Sequence, residues 1–318
     1  MTFYADSLGF LGSPGKGVDV RTDDPFALNL VHCTSVPPWI DTMEGCLAAH
    51  KKFRNQVEQE FCQLQVIVEK SDIEELPSHK IGVVFGMQHT PKDVDVKALR
   101  AAGIRIIAPC YEKVNQLGGG WRYPTISLAR KGIRFVYDCA EHGMIIDLSH
   151  VGDTTAEDIL EYAKLKALDV PIIASHGGCF EQYAHDRNLP DHVLSEIAEG
   201  GGVVGICTMT FLLHKTDNSA IPFLQHLEHA LEVCGEDGVC IGSDASYISR
   251  DPAQAEKEFY ELRDKLDPDG AYRSRYPDHP PGLNGADRMK TIAKVLDGHP
   301  AAQKVLGENL LNFFLKAL

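Results

Sequence analysis

The sequence has 318 residues, of which 44% are hydrophobic and 24% are charged, and its formal net charge is −14 at pH 7. This acidic balance argues against nucleic acid or an anionic membrane as the main partner, and the chain has no run of eighteen apolar residues that could span a bilayer. The N-terminus lacks a signal-peptide pattern, and the nine cysteines are an odd number with several inside apolar runs, so we expect a cytoplasmic protein with reduced cysteines.

The first half of the chain alternates short apolar strand patterns with helical patterns. Residues 1–26 are rich in Gly, Pro and Asp, and we expect an irregular lead-in there. Strands are predicted from Leu28 to about His32, from Gln63, and over residues 80–88 and 104–111. Helices are predicted over residues 40–60, 94–102 and 126–142.

The second half continues this alternation up to the C-terminus. Strands are predicted over residues 143–151, 171–178, 202–209 and 239–246, and helices over residues 154–165, 190–200, 221–234 and 302–317. His226 and His229, on one of these helices, are interpreted as surface residues. Residues 250–285 are polar and rich in proline, which predicts a long surface segment. We expect it to cover the rim formed by the C-terminal ends of the strands, where the active site is expected.

About eight strands alternate with about eight helices over the length that one (β/α)₈ barrel needs. We therefore predict the α/β class and a single TIM-barrel domain over residues 1–318. A doubly wound parallel sheet is the alternative architecture.

Two strands end in Ser-His, in the segments GMIIDLSHV at residues 143–151 and PIIASHGG at residues 171–178. The C-terminal ends of barrel strands form one rim, where these folds place their active sites, so we expect His150 and His176 to lie side by side. Neutral imidazole is the commonest protein ligand for zinc and related ions. Either histidine alone could be a hydrogen-bonded core residue, but the pair favours a metal site.

Three more polar residues fall at predicted strand ends: His32, Gln88 and Asp244. An aspartate beside a metal can be a ligand, or can take a proton from water that the metal activates. Asp244 could instead cap the loop that follows it, and His32 is as readily a core residue as a ligand.

These motifs, with three more segments, resemble those of the renal, or membrane, dipeptidases, which are metallopeptidases of the amidohydrolase superfamily. The further segments are DRNLPD at residues 186–191, IGSD at 241–244 and VLGENLLNFF at 305–314. The resemblance covers the chain from about Gly82 onwards and is weaker before it. It implies a metallo-dependent hydrolase barrel with a two-zinc centre that hydrolyses dipeptides.

The resemblance also implies roles for single residues. His150 and His176 match the two histidines that hold one zinc, and Asp244 matches the aspartate that handles protons near the bridging water. Arg187 matches the arginine that binds the substrate carboxylate, and the family's substrate-binding histidine falls near Tyr111. A guanidinium clamp on a carboxylate is also what chemistry alone suggests for Arg187, beside a simple rim salt bridge.

Two charged ligands of the family are missing. Its first-strand His-x-Asp matches His32-Cys33-Thr34, and its bridging Glu falls on Gln88. Two zinc ions would bring four positive charges into a partly dry pocket, where uncompensated charge is costly. We therefore expect one divalent metal, zinc or else manganese, on His150 and His176, completed by Asp244, His32 or water. A site without metal is the alternative.

These assignments predict a hydrolase that cleaves an amide-like C–N bond in a small, carboxylate-bearing, dipeptide-like substrate. Tyr111 and Gln88 would shape the substrate pocket, so an ordinary dipeptide need not be the substrate. A lyase or isomerase reaction at the same residues, or a metal-free barrel that acts as a binding protein, is the alternative. A homodimer is expected only by analogy with the family.

Overall fold

The computed structural model describes residues 2–12, 28–248 and 251–318. The strands are β1 Ala5–Asp6, β2 Gly9–Phe10, β3 Leu30–Thr34, β4 Leu64–Ile67, β5 Ile81–Met87, β6 Ile106–Ile107, β7 Ile145–Asp147, β8 Ile172–Gly177, β9 Val204–Ile206, β10 Val239–Ile241 and β11 Ala245–Ser246. The helices are α1 Met43–Glu60, α2 Lys70–Glu74, α3 Val96–Ala102, α4 Arg130–His142, α5 Asp153–Leu165, α6 Asp191–Glu199, α7 Thr210–Leu213, α8 Ile221–Cys234, α9 Pro252–Leu266, α10 Arg288–Val295 and α11 Asn309–Ala317, the last preceded by a π-helical turn at Lys304–Glu308.

Eight parallel strands form the barrel in the order β1-β3-β5-β6-β7-β8-β9-β10. The seam between the first and last of them is held by Ser7, whose backbone N–H donates to the carbonyl of Ile241 over 2.8 Å. Helices follow most of the strands and cover the outside. The predicted (β/α)₈ barrel is therefore confirmed, and the doubly wound alternative is wrong.

The sequence favours this closure because the barrel strands supply an apolar layer to one end of the interior. One buried residue at or beside each barrel strand belongs to this layer: Ala5, Leu30, Val84, Ile106, Ile145, Ile173, Val203 and Cys240. Helix α11 packs Leu310, Phe313 and Phe314 against the same cluster and closes that end. The polar residues at the C-terminal ends of the strands are thus left to line the opposite end, as in other barrels of this type.

Three predictions near the termini need correction. The expected irregular lead-in contains β1 and β2, while residues 13–27 lie outside the described part. Because β1 is the first barrel strand, β3 is the second, and the match of His32-Cys33-Thr34 to a first strand was wrong. The polar surface segment at 250–285 contains helix α9, which its prolines concealed.

The interpretation of His226 as a surface residue was also wrong, since only 1% of it is exposed. Seven of the nine cysteines are buried, and all nine are free. No helix in the described ranges combines the length and apolarity needed to cross a membrane.

Candidate active site

The two Ser-His segments place a pair of imidazoles at one end of the barrel. His150 follows β7 by three residues, His176 lies near the end of β8, and β7 and β8 are neighbours. The Nε2 atoms of the two rings are 3.0 Å apart. Only 4% of His150 and 1% of His176 are exposed. The structure therefore brings together the two residues that the sequence singled out.

Both imidazoles lie in surroundings that favour their neutral form. Burial holds the pKa of His150 well below the ordinary histidine value, and the charges of Arg187 and His176 act in the same direction. Burial does the same to the pKa of His176, with further contributions from Arg187 and His32. Neutral imidazoles with a free lone pair are the form that binds metal ions.

Arg187 reaches this pair from the loop after β8. Its Nη2 donates to Nε2 of His176 over 2.8 Å, and only 2% of the residue is exposed. The loop is shaped by Asn188, whose side-chain oxygen accepts the backbone N–H of Gly178 over 3.0 Å. Nε and Nη1 of Arg187 are buried without a hydrogen-bond partner among the described residues. A buried guanidinium with two unused donors is suited to bind an anion, such as a carboxylate.

Asp244 approaches the pair from the turn after β10, two strands along the barrel from β8. Its Oδ2 lies 4.0 Å from Nε2 of His176, and its backbone has a left-handed φ of 54°. The turn is fixed by the first strand, because the backbone N–H of Asp244 donates to the carbonyl of Leu8 over 2.8 Å. Burial raises the pKa of Asp244 to about 7, although Arg187 acts against this shift. Without a bound cation beside it, this carboxyl can therefore exchange a proton near neutral pH.

The remaining predicted residues lie in or after the barrel strands β6, β3 and β5. The ring of Tyr111 stacks on His150, with centroids 4.1 Å apart and an angle of 28° between the planes. Nδ1 of His32 donates to the carbonyl of Ser7 over 2.7 Å, so its buried Nε2 carries a lone pair that finds no partner in the described part of the chain. Gln88 is 6% exposed, and its amide nitrogen is likewise unpartnered within the described residues.

Sequence reasoning missed two residues near the site. Asp147 is fully buried at the end of β7, and the signal that could have identified it is a carboxylate inside the apolar run IIDL. Tyr272, in the segment 250–285, packs on Trp121 with ring centroids 4.5 Å apart and accepts a hydrogen bond from His185 at its backbone carbonyl. Nothing local in the sequence marks Tyr272.

The histidine pair fits one metal ion. In a tetrahedral zinc site with Zn–N distances near 2.0–2.1 Å, two nitrogens lie about 3.3 Å apart, close to the 3.0 Å between these Nε2 atoms. The side chains of the predicted site do not form a three-donor cluster. Among the described residues, the one set of three donor atoms within 4.8 Å of one another is the more exposed group of Glu181, Asp191 and His229. A third ligand would come from Asp244, after a small movement, or from water.

Comparison with known proteins identifies the family. Residues 23–272 match the membrane dipeptidase family, peptidase family M19. An uncharacterized dipeptidase of Schizosaccharomyces pombe is 29% identical over 187 residues, which are 54% of this chain and 43% of the relative. A dipeptidase of Clonostachys rogersoniana is 36% identical over 121 residues, which are 37% of this chain and 29% of the relative. The chain thus spans less than half the length of these two relatives.

Solved structures show the same barrel over the whole chain. An amidohydrolase from Pseudomonas aeruginosa superimposes with a TM-score of 0.78 at 21% identity, covering 99% of this chain and 96% of the other. A metallo peptidase from Rhodobacter sphaeroides, liganded with a phosphinate mimic of L-Ala-D-Ala, gives a TM-score of 0.75 at 17% identity and covers both chains fully, 100% of each. Because the family match extends over most of the sequence, this protein belongs to the membrane dipeptidase family, peptidase family M19.

Proposed function

We propose that the protein is a metal-dependent hydrolase that cleaves an amide-like C–N bond in a small, carboxylate-bearing, dipeptide-like substrate. One observation carries the proposal. The Nε2 atoms of the buried His150 and His176 lie 3.0 Å apart, beside the buried guanidinium of Arg187, which has two donors without a partner among the described residues. This arrangement offers a cation site and an anion site in one pocket, as hydrolysis of a substrate with a free carboxylate requires.

Each side chain has a defined task in this reaction. A divalent ion, when bound, lowers the pKa of water to about 7 and polarises a carbonyl group. His150 and His176 would hold the ion through Nε2. Asp244 would accept the proton of the attacking water and return it to the leaving amine, because its Oδ2 lies 4.0 Å from Nε2 of His176. Arg187 would orient the substrate through its carboxylate.

We propose one metal ion rather than two. Gln88 follows β5 with a neutral amide, where the family's matched residue is a glutamate. The residues directly after β1, the first barrel strand, are Ser7 and Leu8. A second divalent ion would thus have no carboxylate from these positions to offset its charge.

A metal-free binding protein for small carboxylates is the second candidate. The observation that favours it is the hydrogen bond from Arg187 to Nε2 of His176, because it uses the lone pair that a metal would need. In this case the orphan donors of Arg187 would still bind an anion, but no hydrolysis would follow.

Metal content and hydrolysis together test the two candidates. The protein is purified without chelator, reloaded with zinc or manganese, and assayed for metal per chain and for cleavage of a panel of dipeptides. We expect one equivalent of metal and measurable hydrolysis in the parent, and loss of both in His150→Ala and His176→Ala. His192→Ala, which changes an exposed histidine, is the control and should retain both.

The outcomes separate the hypotheses. Two equivalents per chain would contradict the single-metal assignment. A parent protein without metal or turnover, which still binds a small carboxylate through Arg187, would favour the binding protein.

A further inference from the structure

Asp147 is the centre of a hydrogen-bond network that reaches His176 through Ser175. Its Oδ1 accepts the Ser149 hydroxyl over 2.7 Å, and the backbone N–H groups of Ser149 and Ser175 over 3.0 Å and 2.9 Å. Its Oδ2 accepts the Ser175 hydroxyl over 2.6 Å. All three residues are buried. A carboxylate whose two oxygens accept four hydrogen bonds is in its ionised, acceptor-only form.

The protons of this network can be assigned one by one. A serine hydroxyl has a single proton, and Ser175 donates that proton to Oδ2 of Asp147. The oxygen of Ser175 also lies 2.8 Å from Nδ1 of His176, so in this second contact it must accept. Nδ1 of His176 therefore carries the ring proton, and Nε2 carries the lone pair.

A separate contact on the other side of the ring leads to the same tautomer. Nη2 of Arg187 lies 2.8 Å from Nε2 of His176. A guanidinium has only donors, so Nε2 must be an acceptor there. The two contacts share no partner except the ring of His176, and they agree.

His150 lacks such a support. Its Nδ1 is buried and has no hydrogen-bond partner among the described residues. The two histidines of the pair are therefore held differently: His176 is fixed by a chain of hydrogen bonds, whereas His150 is held by its contacts with Tyr111 and with His176 itself.

We propose that Asp147 and Ser175 are positioning residues that fix His176 as the Nδ1–H tautomer, with the Nε2 lone pair directed into the site. Their consequence for metal binding rests on the proposed function, but the tautomer assignment does not. Partners that orient a metal-binding histidine typically contribute roughly 10- to 100-fold to metal affinity. We expect this loss when the chain from Asp147 to His176 is broken.

Nitrogen-15 NMR of the histidine-labelled, metal-free protein tests the tautomer directly. Two-bond correlations distinguish a protonated nitrogen from one with a lone pair, and the His176 signals are assigned by their loss in His176→Gln. We expect a protonated Nδ1 and an unprotonated Nε2 in the parent protein. The opposite tautomer, or an even mixture, in the parent would overturn the proposal without any further variant.

Two variants then test the series of hydrogen bonds from Asp147 through Ser175 to His176. In Asp147→Asn, the amide NH₂ can donate to Ser175, whose proton then turns toward Nδ1 of His176, so we expect a shift to the Nε2–H tautomer. Ser175→Ala removes only the hydroxyl, and we expect a mixture of tautomers. Asp6→Asn is the control, because this equally buried carboxylate bonds to the hydroxyl of Ser243 and not to the network of His176. Circular dichroism identifies any variant that fails to fold.

Zinc affinity, measured by competition with a chromophoric chelator, completes the test. Asp147→Asn and Ser175→Ala should bind zinc about 10- to 100-fold more weakly than the parent, and Asp6→Asn should not. Parent-like affinity and tautomer in both folded variants would overturn the proposal. A parent that binds no zinc would contradict the proposed function and the metal-binding role of the chain, and the tautomer would still be decided by NMR.

Discussion

Arg187 donates a hydrogen bond over 2.8 Å to Nε2 of His176, so the proposed carboxylate anchor and the proposed metal ligand meet at one atom. If His176 held a metal through Nε2, Arg187 would have to release this hydrogen bond, and its positive charge would remain nearby. The contact would thus couple the proposed metal site to the proposed anion site.

Replacing Arg187 should have opposite effects on zinc binding and on substrate binding. Arg187→Met removes the competing donor and one positive charge, and we expect zinc to bind at least about tenfold more tightly, or about 1.4 kcal/mol. The same change should raise KM for a carboxylate-bearing substrate, because its anchor is lost. Chelator competition and steady-state kinetics measure the two effects. Arg134→Met, at a side chain with 68% exposure, is the charge-matched control, and unchanged zinc affinity in Arg187→Met would contradict the competition.

Asp244→Asn should reduce turnover and stabilise the metal-free protein. Loss of a proton-transfer group lowers kcat by roughly 10²–10⁴-fold, and asparagine tolerates the left-handed φ of 54° at this position. Burial raises the folded-state pKa of Asp244 to about 7, above its unfolded value, so the folded state binds more protons between these values. Stability from this group therefore decreases as pH rises through that window and is lowest above about pH 7.

Urea unfolding of the metal-free protein near pH 8 should accordingly show a higher free energy of unfolding for Asp244→Asn than for the parent. Asp237→Asn, at a side chain with 88% exposure, should change neither turnover nor stability appreciably. A less stable Asp244→Asn would mean that the ionised carboxylate is well accommodated in the folded site.

Gly86 and His32 should show strong energetic coupling. A Cβ atom on Gly86 would lie 2.1 Å from Nε2 of His32, inside the closed barrel. We expect Gly86→Ala to lower the free energy of unfolding by roughly 1–3 kcal/mol, the usual cost of overpacking. Adding His32→Ala should recover part of this loss, and the double-mutant cycle by urea unfolding measures how much. At Gly177, by contrast, the nearest atom to a Cβ would be 3.8 Å away, so Gly177→Ala is the steric control. Additive effects of the two changes would contradict the contact.

His226 should make the protein sensitive to acid. Burial lowers its pKa to about 4, and its Nδ1 accepts the backbone N–H of Cys179 while Nε2 donates to Leu213. The unfolded chain therefore binds more protons between about pH 4 and pH 6.5, so stability is complete above this window and falls as pH decreases through it. The loss of unfolding free energy between about pH 7.5 and pH 5 should be smaller in His226→Gln by up to roughly 2 kcal/mol. His192→Gln should retain the parental dependence, and an unchanged slope in His226→Gln would contradict the assignment.

The barrel and its histidine pair could be predicted from the sequence because both rest on local signals. Apolar runs bounded by Gly or Pro mark β7 and β8, and parallel strands necessarily bring their C-terminal ends to one rim. His150 then lies beside His176 because β7 and β8, which are consecutive barrel strands, are also neighbours in the sheet.

The other features of the fold and the site depend on contacts between residues far apart in the sequence, which local sequence patterns do not reveal. Strands β1 and β2 have two residues each, too few to show a period of two, and their pairing partners are far along the chain. The match of His32 to the first strand failed for this reason. The contact between Arg187 and His176, and the arrival of Tyr272 at Trp121, likewise depend on loop geometry that propensity and periodicity do not encode.

Because of the barrel seam, the part of the site that carries Asp244 should open more readily than the part that carries His150 and His176. Ser7 and Leu8, beside the two-residue strand β1, hold Ile241 and Asp244, whereas the histidine pair stands on β7 and β8 in the middle of the sheet. Local opening of a short edge contact costs far less than global unfolding. Such a fluctuation would displace Asp244 and leave His150 and His176 in place. We therefore expect mild denaturant to abolish the proposed hydrolysis at concentrations where the proposed metal is still bound.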